Sequence, residues 1–458
     1  MLTGMLLALA MTAGPQPIAL HPSNPRYFLF RGKPTILLTS GEHYGSVLNS
    51  DFEYERYLTT LRGDGFNYTR IFSGCYCEDR RSFNIRDNTL APAPGRFLSP
   101  WARSGEAGYA NGGPKFDLTH WDEAYFRRLK AFCAAAGRRG IVVEISLFCP
   151  FYEDSMWHLS PMNSANNVNG VGNCARTEVY TLKHADLTGA QDAMTRKIVQ
   201  ETAGFDNVFY EICNEPYFGG VTLAWQRHIS EAIADEEQKT GVRHLIAQNI
   251  ANGSARVTDP DPNVSILNFH YAAPPSAVDE NAGLGRAIGF DETGFRGSSD
   301  LPYRTEGWDF LMAGGSLYNN LDYSFTVAHP DGAAPVAPPT PGGGGPELRR
   351  QLAVLRRFFA DLDFVEMHPA NEVIVSRTPQ GVSARALAEP GRCYAVYVKS
   401  EEAASLTLEL PAGRYAVRWL HPGTGRHERT RTTTHAGGRL ELAVPPYEED
   451  IALRLDRK

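Results

Sequence analysis

The sequence predicts an α/β protein: a (β/α)8 TIM barrel followed by a C-terminal antiparallel β-sandwich. Three observations predict it. Short apolar runs alternate with helical patterns from residue 35 to 362, the signature of a parallel sheet wrapped by helices. Beyond residue 365 the pattern changes to period-two segments separated by turn residues. No glycine-rich phosphate loop follows the first strand, which counts against the rival architecture, an open doubly wound nucleotide-binding sheet. The 458 residues, 42% of them hydrophobic, are enough for a large core.

Thr35–Ser40 (TILLTS) is the first strand run, and Ser50-x-x-Glu53 reads as a capping box opening a helix that ends near Gly63 and Gly65. Phe66–Phe72 (FNYTRIF) is the second strand. The helix expected over Trp121–Arg139 places Tyr125, Leu129, Phe132, Cys133 and Ala136 on one face. Ile141–Phe148 and Asn207–Cys213 are the third and fourth strands, and a helix is expected over Leu223–Thr240. His244–Asn249, Val264–His270, Arg286–Phe290 and Ser316–Tyr323 complete eight strands, with a last helix over Glu347–Asp361. Cys393–Val398, Ser405–Leu410, Arg414–Leu420 and Arg439–Val444 alternate like sandwich strands. His21–Lys33 forms a small strand pair that either caps the barrel floor or joins the sandwich. The domains are therefore a leader at 1–14, a barrel at 15–365 and a sandwich at 366–458.

Composition excludes several classes. With 45 basic and 52 acidic residues the net charge is −7, which does not suit a nucleic-acid binder. No run of 18 apolar residues predicts a membrane span. Aromatic residues at 11% and charged residues at 21% exclude disorder. Met1–Ala13 resembles a signal peptide without a basic leader, so a secreted or periplasmic location is expected. The seven cysteines lack zinc spacing. In an exported chain Cys75 or Cys77 would be free to bridge to Cys174. Cys149 and Cys213 near strand ends invite a thiol-nucleophile reading, but buried cysteines are commonly packing residues.

Chemistry in such a barrel sits at the carboxyl ends of the strands. The polar residues there are Glu42, His43 and Tyr44, Arg70, Asn214 and Glu215, Asn268, His270 and Tyr271, Asp291, Glu292 and Thr293, and Asn319, Asn320, Asp322 and Tyr323. Two carboxylates facing each other across the mouth suit glycosidic bond cleavage, one protonating the leaving oxygen and the other attacking the anomeric carbon. Pro216 stops the ladder after Glu215, and Gly294 permits a sharp turn after Glu292. Glu42 is the rival carboxylate, and a one-residue shift would exchange the faces of Asp291 and Glu292. Glu211, deeper in the strand, is expected to pair with a buried arginine.

The segment Tyr210-Glu211-Ile212-Cys213-Asn214-Glu215-Pro216 resembles the strand-four signature of clan A glycoside hydrolases, the cellulase-like superfamily. The resemblance spans about residues 20–362. It implies Glu215 as general acid/base, Glu292 as nucleophile, Arg70 beside that nucleophile, Asn214 on the sugar 2-hydroxyl and His270 as the strand-six histidine. For retention, Glu292 must be ionised while Glu215 keeps a raised pKa and its proton until donation. Further substrate contacts are expected from Tyr271, Glu42, His43, Asn320 and Trp157. Two positions depart from the family: Ala272 stands where a tyrosine often follows the histidine, leaving adjacent Tyr271, and Ser316–Phe325 lacks the usual tryptophan.

The long loops at 73–118 and 149–184 carry Tyr76, Trp101, Tyr109, Phe151, Tyr152, Trp157 and Tyr180. They read either as aromatic walls of a pocket, favouring exo action or short oligosaccharides, or as a lid packed on itself. The expected partner is a glycan, with no cofactor, metal, nucleic acid or membrane. A transglycosylase using the same residues and a non-catalytic carbohydrate-binding barrel are the alternatives.

Overall fold

The computed structural model describes residues 16–336, 338, 340–378, 382–400 and 405–458. The proposed leader lies outside the described residues. Among these residues no helix is long and apolar enough to cross a membrane.

Eight parallel strands form the barrel: β1 Leu37–Gly41, β2 Tyr68–Phe72, β3 Val142–Phe148, β4 Val208–Cys213, β5 Ile246–Asn252, β6 Ile266–His270, β7 Ala287–Thr293 and β8 Leu317–Leu321. The ladder runs β1-β8-β7-β6-β5-β4-β3-β2. Outside it lie α1 Tyr54–Gly63, α2 Glu123–Arg138, α3 Ala185–Thr202, α4 Leu223–Thr240, α5 Ser276–Asn281, α6 Asp300–Met312 and α7 Pro346–Ala360. Two expectations change. α1 begins four residues after Ser50, with Glu53 at its N-cap and no capping side chain, so the anticipated box is part of a loop. No helix follows β5: residues 253–265 connect directly to β6.

The ring closes between β1 and β2 without a regular ladder. Asn67 stitches this seam: its Oδ1 accepts from Leu38 N at 3.0 Å, its Nδ2 donates to Ile36 O at 2.8 Å, and its own N–H reaches Leu38 O at 3.4 Å. At the rim, Phe72 N donates to Tyr44 O at 3.0 Å.

The amino-terminal segment forms three short strands, Ala19–Leu20, Phe28–Phe30 and Lys33–Thr35. Ile18, Phe28 and Phe30 pack with the first residues of the barrel strands, among them Leu37, Tyr68, Val142, Phe209 and Leu317. Of the two places open to it, this segment takes the barrel floor.

The sandwich packs a six-stranded antiparallel sheet on a three-stranded one. Its core joins Val396, Val417 and Leu453 of the first sheet to Leu406, Leu408 and Leu442 of the second. It leans on α6 and α7. Tyr397 stacks on Trp308 at 5.2 Å, and Arg304 reaches Asp450 at 2.9 Å and Gln351 at 2.7 Å.

Candidate active site

Beneath the mouth the barrel interior is charged rather than apolar. Glu144 on β3, Glu211 on β4 and Asp291 on β7 are fully buried, each with an oxygen within 4.8 Å of the others. Arg70 of β2 lies among them. Its guanidinium bonds Glu211, donates to Asn214 Oδ1 at 2.8 Å and stands 3.5 Å from Asp291, as the structural pairing of Glu211 required. Burial together with Glu211 and Asp291 drives the Glu144 carboxyl well above the carboxylate range. Its Oε1 accepts from Asn268 Nδ2 at 2.8 Å.

Asp291 and Glu292 both point inward although they are consecutive. The reason is a bulge: Phe269 pairs with Phe290 but His270 pairs with Glu292, which leaves Asp291 as the extra residue. Strand parity alone could not show this.

Above that layer, Glu215, His270 and Glu292 come together with one ligand-type atom of each within 4.8 Å. Glu292 accepts from Tyr44 Oη at 2.8 Å and Tyr271 Oη at 2.7 Å, and Arg70 Nη1 lies 3.5 Å away. Tyr271 thus holds this carboxylate in place of the tyrosine missing at 272. Glu215 accepts from Tyr152 Oη at 2.6 Å and Tyr217 Oη at 3.2 Å, and its Oε1 meets His270 Nδ1 at 3.1 Å. His270 Nε2 stands 3.5 Å from Asp291.

Electrostatics here differ from the expectation. Burial pulls the Glu215 carboxyl upward, but the hydrogen bond and charge of His270, with Tyr152 and Tyr217, outweigh it and hold its pKa below the usual range. Burial alone would favour a neutral His270 ring. Glu292 and Asp291 reverse this and raise its pKa well above 6.5. The two shifts run in opposite senses: the surroundings favour the charged form of His270 and the carboxylate form of Glu215, the reverse of the raised Glu215 pKa expected for an acid.

Backbone strain concentrates at the mouth. Tyr44, Glu215, Tyr271 and Phe295 have φ of 61°, 36°, 50° and 56°, in the left-handed region that non-glycine residues avoid. These turns aim the side chains inward. Gly294, expected to supply the turn after Glu292, does not; Phe295 takes the positive φ one residue later.

The cleft has a volume of about 80 Å³ and is lined by His43, Tyr44, Glu78, Asn214, Glu215 and Glu292, with Phe83, Tyr152, Tyr271 and Phe295 around it. Phe83, at φ 55°, meets Tyr152 at 5.4 Å and Phe295 at 6.4 Å, closing part of the opening.

Other expected contacts sit elsewhere. Glu42 is buried, with its oxygens taken by Gly45 N, Ser46 N and Thr89 Oγ1, so it fixes the loop after β1. Asn320 donates to Ser40 Oγ at 2.9 Å inside the barrel. Trp157 donates to Cys174 O at 3.0 Å and packs on Phe151. None of the three lines the cleft. All seven cysteines are free, and burial raises the Cys149 and Cys213 thiols well above their ordinary value, so neither suits a thiolate nucleophile. Glu78, Phe83, Tyr217 and Phe295 were missed, and Tyr44 was placed at the end of the first strand without a role. Position after a strand end was the available signal for Tyr44, Tyr217 and Phe295; nothing local marked Glu78 or Phe83.

No family model matches the sequence, and no curated protein does. Solved structures do. A Bacteroides vulgatus protein assigned to the glycoside hydrolases superposes with a TM-score of 0.69 at 14% identity, covering 97% of this chain and 83% of that one. A second structure, titled glycoside hydrolase, gives 0.65 at 13% identity, covering 98% and 99%. A glycoside hydrolase family 5 structure from Bacteroides vulgatus gives 0.63 at 13% identity, covering 97% and 95%. At such identities the likeness is one of fold, and it extends over barrel and sandwich together.

Proposed function

We propose that the protein is a retaining glycoside hydrolase in which Glu292 is the nucleophile and Glu215 the acid/base. One observation carries the reading: an oxygen of Glu215 and an oxygen of Glu292 lie within 4.8 Å at the mouth of the barrel. Retaining pairs stand about 5–5.5 Å apart, whereas inverting pairs leave about 6.5–9.5 Å for a water. The shared barrel-and-sandwich fold of known glycoside hydrolases supports the same chemistry.

Glu292, held by Tyr44, Tyr271 and Arg70, attacks the anomeric carbon. Glu215 protonates the departing oxygen, its proton supplied by His270 across 3.1 Å. In the second half, water attacks the glycosyl-enzyme and Glu215 takes its proton, a role for which a low pKa is suited. Asn214 and His43 would meet sugar hydroxyls; among the described residues neither His43 ring nitrogen has a hydrogen-bond partner, and its Nε2 lies 3.5 Å from a Glu78 carboxylate oxygen. A cleft of about 80 Å³ is small beside the roughly 300–1,000 Å³ of common ligand pockets, which favours one terminal sugar over a long chain.

The test is a panel of aryl glycosides with wild type and Glu292→Ala. Turnover lost in the variant and restored by azide, as an adduct of inverted configuration, is the expected result. A variant as active as wild type would overturn the assignment.

A further inference from the structure

A third carboxylate opens into the cleft. Glu78, on the loop after β2, is 5% exposed and lines the same small volume as Glu215 and Glu292. The loop folds back to hold it: Glu78 N donates to Leu90 O at 2.8 Å, and Leu90 N donates to Asn88 Oδ1 at 2.9 Å. Tyr76 Oη donates to Glu78 Oε1 at 3.0 Å, and Asn88 Nδ2 donates to Oε2 at 2.5 Å. Each oxygen is thereby pinned by one neutral donor. Neither half of the double displacement calls on this residue, and the clan A resemblance assigns it no part.

An ionised carboxylate accepts about four hydrogen bonds, and burying one that lacks donors is costly. Among the described residues Glu78 receives side-chain bonds only from Tyr76 and Asn88. His43 stands beside it, with Nε2 at 3.5 Å, and forms no hydrogen bond to it. Glu78 is therefore short of donors while forming part of the cleft wall. Two neighbouring hydroxyls of a sugar ring supply two donors to one carboxylate, and the hydroxyl nearer Oε2 can also pair with His43 Nε2. This wall continues to the proposed nucleophile. The His43 ring stacks on Tyr44 at 5.4 Å, and Tyr44 Oη bonds Glu292 at 2.8 Å. The sugar it meets is the one bonded to Glu292, which stays in the cleft through both halves of the reaction.

We propose that Glu78 is a specificity-determining residue: its carboxylate receives two adjacent hydroxyls of the sugar that becomes bonded to Glu292, one of them shared with His43. The assignment rests on the proposed hydrolase reading. It names the substrate class, a glycan ending in a neutral sugar with an unsubstituted pair of neighbouring hydroxyls. A carboxylate or sulfate in their place would meet like charge. A chain continuing through either hydroxyl would remove a donor and leave Glu78 unpaired, so the pair must sit at a chain end.

The experiment takes the sugar identified by the glycoside panel and compares its aryl glycoside with the monodeoxy forms, one hydroxyl removed at a time and the leaving group constant. Wild type and Glu78→Gln, which keeps the shape but removes the charge, are assayed side by side. In wild type, loss of either of two neighbouring hydroxyls should lower kcat/KM by about tenfold or more, the size of a hydrogen bond to a charged group. In Glu78→Gln those two penalties should shrink several-fold while the others stay as they were. If that variant does not fold, Glu78→Asp, which keeps the charge but withdraws the oxygens by one methylene, decides by the same pattern. An equal loss across the whole series, as pinning of the loop alone would give, overturns the assignment. So does an unchanged set of penalties, and either result leaves the hydrolase reading standing. A wild type that hydrolyses no glycoside overturns both.

Discussion

At the residue scale the site turns on one imidazole set among three carboxylates. His270 touches Glu215, Glu292 and Asp291, and its neighbour Tyr271 bonds Glu292. Asp291, for which burial favours the neutral acid, is held below the usual carboxylate range by His270 and Arg70. Its charge, with that of Glu292, in turn raises the His270 pKa. Asp291→Asn removes one negative charge from the cluster, so the proton binds less tightly and leaves at lower pH. The alkaline limb of kcat/KM against pH should therefore move to lower pH, while Glu292 remains competent for azide-free turnover at acid pH. An unshifted limb would show that Asp291 does not tune the pair. Glu215, Glu292, Arg70, Asn214, His270 and Tyr271 were legible because each ends or lines a strand whose apolar run is plain in the sequence. The role of Tyr44 and the place of Tyr217 were not, because left-handed or irregular backbone beyond a strand end decides where such a side chain points. The shared orientation of Asp291 and Glu292 was hidden for a related reason: a bulge abolishes the alternation from which faces are read.

At the element scale the barrel is legible and its joins are not. Strand runs are read from composition, but which pair lacks a ladder depends on how the ring closes. Asn67 occupies that join, and its carboxamide replaces strand hydrogen bonds between β1 and β2. Asn67→Ala should lower stability by about 2–3 kcal/mol, since two buried backbone groups lose their partners. Asn67→Asp, which keeps the acceptor for Leu38 N, should cost less. Chemical denaturation of the three proteins checks the order. Activity should fall in the same order, because Tyr44 follows β1, Arg70 lies on β2, and both reach Glu292. The long loops divide between the two readings open to them. Tyr76, Trp101, Tyr109, Phe151 and Tyr180 pack into a buried lid, and of the aromatics expected in the loops only Tyr152 reaches Glu215. Aromatic content does not separate a wall from a lid, since both bury rings.

At the scale of the whole molecule the sandwich is a brace. Arg304 of α6 meets Asp450, Glu449 and Gln351, while Lys399 and Arg385 of the sandwich approach Asp309. Breaking a buried pair leaves an uncompensated charge, so Arg304→Ala should weaken the union of the domains by roughly 3 kcal/mol. Calorimetry should then show a lower first transition, with the sandwich melting apart from the barrel. A single unshifted transition would remove the brace from the account. The opposite end of the barrel carries a different consequence. With Ile18, Phe28 and Phe30 plugging its floor, the barrel is a cup rather than a tube. Among the described residues Phe83 and Phe295 stand over Glu292 and narrow the opening above it, on the side away from that plug.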